Sequence, residues 1–170
     1  MNKRQVLLAL LGALMIGIWS PSAQAQHAND RSRFVYAVSS QQPKHCSIWV
    51  DAIEFGTKHT AVTMHYARSK GGANLIPSTT LVCHLRGGKT KVLALQQTRG
   101  ISMFKDVYTQ FGQGDVFQAF FEPLHADDVA RIKSVDLLED ASVVGQIGNG
   151  AGRVFNITNI RIDKKRQMIQ

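Results

Sequence analysis

Apolar and polar positions alternate with a period of two through most of this chain, which is the signature of strands buried on one face. The segment His59 to Arg68 carries it best, with Val62, Met64 and Tyr66 on one side and Thr63 and His65 on the other. Thr79 to Arg86 repeats it, placing Leu81, Cys83 and Leu85 together. Gly87-Gly88 then predicts a tight hairpin into Lys89 to Gln96, because glycine enters positive φ without steric cost. Further strands are predicted over Arg33 to Ser39, Cys46 to Gly56, Asp115 to Glu122, Ile132 to Leu138 and Arg153 to Asp163. In the second of these, Trp49, Ile53 and Phe55 break the alternation near Ala52, which predicts a bulge or twist. Asp115 to Glu122 is apolar on both faces (Phe117, Ala119 and Phe121 against Val116 and Phe120), which predicts a central position in a sheet.

The remaining stretches are punctuation. Residues 97–114 hold no clean period and read as a long excursion with Ile101, Met103 and Phe104 tucked beneath it. His125 to Ala130 predicts one helical turn, and Gly145 to Gly152 a glycine-rich loop. Seven or eight strands with little helix and no repeat predict a single all-β domain. Two half-apolar sheets must cover each other, so the expected packing is an antiparallel β-sandwich over residues 33–163. A flexible arm over 26–32 precedes it and a basic tail over 164–170 follows.

The first 25 residues change the picture. Lys3-Arg4 forms a positive head, Val6 to Trp19 is uncharged and apolar, and Ala23-Gln24-Ala25 is a small-x-small cleavage pattern. Those features predict a secretory signal peptide cut after Ala25, since the apolar run is shorter than the ~20 residues a span needs. The expected locale is the periplasm or the cell exterior, with no membrane span in the mature chain. Losing Lys3 and Arg4 takes the formal charge from +8 to +6, which favours an anionic envelope component or a protein as partner. Aromatics do not interleave with the basic residues, so nucleic acid is not expected. Both cysteines, Cys46 and Cys83, lie in the mature part. An even pair in an exported chain predicts a disulfide, with stabilisation of about 4 kcal/mol in the chain-entropy picture.

The second half also carries a recognisable series: Leu81-Val82-Cys83-His84-Leu85 with Gly87-Gly88-Lys89, then Phe120-Phe121-Glu122-Pro123-Leu124, then Ile132 to Asp140, then Val154 to Ile162. Over residues 46–163 this resembles small immunoglobulin-like β-sandwich domains of exported bacterial proteins. The resemblance implies the sandwich fold and a binding, adaptor or envelope-assembly role, and it brings no catalytic residues.

No motif for chemistry stands out. Of six histidines, His45, His59, His65 and His84 lie on or beside predicted strands, without an H-E-x-x-H or H-x-H spacing. No G-x-S-x-G elbow supports a hydrolase. Gly145 to Gly152 runs into a strand, where a phosphate loop runs into a helix. Asn156-Ile157-Thr158 matches a glycosylation acceptor but falls mid-strand and is expected to stay unmodified. The expected function is a non-enzymatic binding or adaptor module of the bacterial envelope, without cofactor. Contacts are assigned to Arg99, Gly148, Asn149 and Arg153, or to a partner strand added at an open sheet edge. The alternatives are a small periplasmic metal-binding protein or hydrolase built on His65 and His84, and a secreted effector.

Overall fold

The computed structural model describes residues 34–44, 46–104, 107–139 and 156–167. The signal peptide and arm expected before residue 33, and the loop expected over 145–152, lie outside the described residues. Ten strands follow in order: β1 (Phe34–Lys44), β2 (Ile48–Phe55), β3 (Thr60–Tyr66), β4 (Lys70–Ala73), β5 (Thr80–Leu85), β6 (Thr90–Arg99), β7 (Thr109–Gly112), β8 (Val116–Phe121), β9 (Ile132–Leu138) and β10 (Asn156–Gln167). One helical turn, α1 (Ala126–Val129), sits between β8 and β9.

The fold is all-β, and it corrects the sandwich. Eight strands close in the order β1-β10-β9-β5-β6-β8-β3-β2, with β2 returning to pair β1. Every pairing in the ring is antiparallel. Two expected layers are therefore one sheet joined at both seams. Bulges turn its corners, with register shifts between Val50 and Ala52 in β2, between Leu95 and Gln97 in β6, and between Ile157 and Ile160 in β10. An extra residue on one strand bends the ladder and raises its twist, which is what closure needs.

Closure also removes the edge at which a partner strand was expected to add. Among the described residues, only the two-stranded ribbon β4-β7 stands apart from the ring. Its glycines matter locally: a Cβ at Gly71 would collide with the Tyr66 hydroxyl, whose ring stacks on Phe111 at 5.5 Å. Gly87 and Gly88, at φ 87° and 78°, make the β5-β6 turn. At its C-terminal end β10 continues through Lys164-Lys165-Arg166, the run expected as a tail.

The interior is solid. Ile53, Val62, Met64, Leu81, Phe117, Phe121, Leu137, Ile157 and Ile160 are fully buried within it. Eight strands leave just enough room for side chains to fill the bore. Inward positions are apolar and outward ones mostly polar, the reverse of a barrel that faces lipid.

Candidate functional site

With the inward side chains buried against one another, two histidines on the outer wall share a construction. Each is bonded to an aspartate, and each assembly uses a bulge. His65 on β3 donates from Nδ1 to Asp51 Oδ1 at 2.8 Å, and Asp51 is the extra residue of the β2 bulge. His84 on β5 donates from Nε2 to Asp136 Oδ2 on β9, also at 2.8 Å. The other Asp136 oxygen accepts the Asn159 backbone N–H at 2.7 Å. Asn159 stands in the β10 bulge at φ 51°, a left-handed conformation that asparagine tolerates better than most residues. Three strands thus fix the His84 ring.

The surroundings of His84 make it the stronger site. It borders a surface groove of about 490 Å³ that runs beside the β5-β6 turn and is lined also by Arg86, Lys89, Lys133, Ser134 and Asp136. Ser134 stands directly opposite His84 in the β5-β9 pairing. Arg86, Lys89 and Lys133 are exposed, so their charges face solvent. A fourth cation adjoins them: Lys164 donates to the Ala130 carbonyl at 2.9 Å. Burial, and then the Arg86 charge, lower the Lys164 pKa. Arg131 braces the rim, donating to the Arg86 carbonyl at 3.2 Å. Asp128 engages Lys91 at 3.8 Å and Arg131 at 4.0 Å, tying α1 to the same end of the barrel. The groove's own carboxylate, Asp136, is occupied with His84 and Asn159.

Other expectations fare differently. Cys46 and Cys83 are both free thiols, which corrects the disulfide. Cys83 points into the core between Leu81 and Leu85, whereas Cys46 lies before β2 and donates to the Ile48 carbonyl at 3.4 Å. Burial, and then the Asp128 charge, push the Cys83 thiol up to about 12. His65 and His84 do not meet, because β8 and β6 lie between their strands. Among the described residues no group of three or more His, Cys, Asp or Glu is arranged to hold a metal.

Arg99 ends β6 on the outer wall, its guanidinium 5.6 Å from the Phe120 ring centroid. Gly148, Asn149, Arg153 and His45 lie outside the described residues. Sequence reasoning missed Asp136, Asn159, Arg86, Lys89 and Lys133 as one cluster. The available signal was the three-residue step from Ile157 to Ile160, which marks the second bulge.

No family model, curated protein or solved structure matches this chain. The described residues form an antiparallel barrel with a cationic groove on its outer wall.

Proposed function

We propose that this chain is an exported, non-enzymatic binding module that recognises an anionic component of the cell envelope through the groove beside the β5-β6 turn. The carrying observation is the exposed set Arg86, Lys89 and Lys133 around a fixed His84 in one concavity. Like charges held near one another repel, and an anion seated among them relieves that repulsion. The Ser134 hydroxyl, directly opposite the fixed His84, adds a donor suited to phosphate or carboxylate oxygens. Recognition by the outer wall also fits a barrel whose inward side chains are buried against one another.

Co-sedimentation with vesicles tests this reading. The protein should bind vesicles containing phosphatidylglycerol, release as salt rises, and ignore vesicles of phosphatidylcholine alone. Equal binding to both vesicle types would refute it, as would unchanged binding after joint Arg86→Ala, Lys89→Ala and Lys133→Ala substitution.

A further inference from the structure

A different wall carries groups that neither the core nor the cationic groove uses. Across β2, β3 and β8, Trp49 pairs with His65 and His65 pairs with Val116, so these three form one row on the outer face. Trp49 is 42% exposed and Val116 62% exposed. The next row holds Thr63, Gln118 and Arg99, in register on β3, β8 and β6. Gln118 Nε2 donates to Thr63 Oγ1 at 3.1 Å. Beyond it lies Phe120, with Arg99 over its face and the His59 ring edge-on at 5.1 Å.

Folding alone does not account for this arrangement. The exposed part of the Trp49 indole forgoes the burial that stabilises large side chains in the core. Asp51 is partly exposed and its bond to His65 adds little stability, yet a bulge is built to supply it. Bulges commonly re-aim a side chain for use. With Nδ1 engaged by Asp51, the other His65 ring nitrogen is left to meet a ligand beside the Trp49 ring.

We propose that this strip is a binding face for a neutral oligosaccharide. The chemistry on the wall selects the occupant. A pyranose ring presents C–H groups to the electron-rich face of an indole, and hydroxyls around its rim to Asp51, His65 and Gln118. The charges oppose one another: Asp51 disfavours a polyanion, and Arg99 disfavours a polycation. Polar groups interrupt the apolar ones at each step, which disfavours an acyl chain or a broad apolar protein face. A sugar chain lying across successive strands meets side chains about 4.8 Å apart along one row. This surface goes beyond the anionic partner proposed above and stands on separate residues.

Tryptophan fluorescence provides the test, because the chain has only Trp19 and Trp49, and cleavage after Ala25 leaves Trp49 as the sole reporter. The probes are neutral β-linked hexasaccharides of glucose, N-acetylglucosamine, mannose and galactose, titrated into the chain beginning at Gln26. At least one should give a saturable change in emission. By calorimetry, Trp49→Ala should abolish binding of that sugar, and His65→Ala or Asp51→Ala should weaken it about tenfold. Circular dichroism of these surface variants should match that of the parent. Joint Arg86→Ala, Lys89→Ala and Lys133→Ala substitution should leave sugar binding intact, so failure of the groove and failure of this face are separable. Silence across the whole sugar panel overturns the proposal. So does a Trp49→Ala variant that keeps its sugar affinity, or one that instead loses binding to phosphatidylglycerol vesicles.

Discussion

Strand β5 has two faces with opposite obligations. Inward, Leu81, Cys83 and Leu85 meet only other side chains and are almost fully buried. Outward, Val82 and His84 keep partial contact with solvent, and His84 is held by a carboxylate from the neighbouring strand. The inner face is chosen for volume and the outer face for chemistry. The same division runs around the ring: Phe117 against Val116 on β8, and Val50 against Trp49 on β2. A substitution should therefore damage either stability or recognition, and seldom both. Measurements on the two sides can break that rule or sharpen it.

The largest effect is expected inside. Phe117→Ala removes a fully enclosed ring that also packs on Phe111 at 4.9 Å, and should cost about 3–5 kcal/mol in urea unfolding. Outside, joint replacement of Arg86, Lys89 and Lys133 by alanine should leave the unfolding midpoint in place. It should weaken binding to phosphatidylglycerol vesicles on the order of a hundredfold, at about 1 kcal/mol per basic residue.

Asp136→Ala tests the boundary between the two faces. It strips partners from both His84 and the Asn159 N–H, and should cost about 1–3 kcal/mol while also weakening the groove. Asp51→Ala, at the more exposed pair, should change stability by less than about 1 kcal/mol.

At neutral pH the smallest expected effects concern the thiols. Cys46 should react with a thiol-specific dye well before Cys83, whose thiol is buried and raised to about 12. A thiol with a raised pKa favours the folded state while it stays protonated. The unfolded chain loses that proton near the usual value of 9.0, so stability should decline from there as pH climbs towards 12. Cys83→Val should flatten that alkaline decline, which denaturation at several pH values would reveal.

The inward faces were legible because burial on one side imposes a period of two whatever the sheet does next. Val62, Met64 and Tyr66 point inward as their spacing predicts, and so do Leu81, Cys83 and Leu85. The bulge near Ala52 was legible for the same reason, as a break in that period. Closure was not: a sandwich and a barrel both hide one face of each strand, and only unbroken pairing at both seams, β1 with β10 among them, separates them. β4 and β7 escaped notice because four residues each, with Gly71-Gly72 in one, show no alternation. The expected disulfide rested on compartment and an even count, whereas Cys83 faces the core on β5 and Cys46 donates to the Ile48 carbonyl before β2, each as a free thiol. The cationic groove was hidden because its residues come from β5, the β5-β6 turn, β9 and β10, and one of those contributions depends on a bulge.

The seam between β1 and β10 joins the earliest described strand to the last, with Lys44 opposite Asn156 and Val38 opposite Ile162. Contacts so distant along the chain form late, after shorter loops have closed. A chain halted before Asn156 would keep β1 and β9 unpaired on one side each, and such borders invite pairing with other molecules. Pairing of β10 with β1, more than any single side chain, is then the event that closes this barrel.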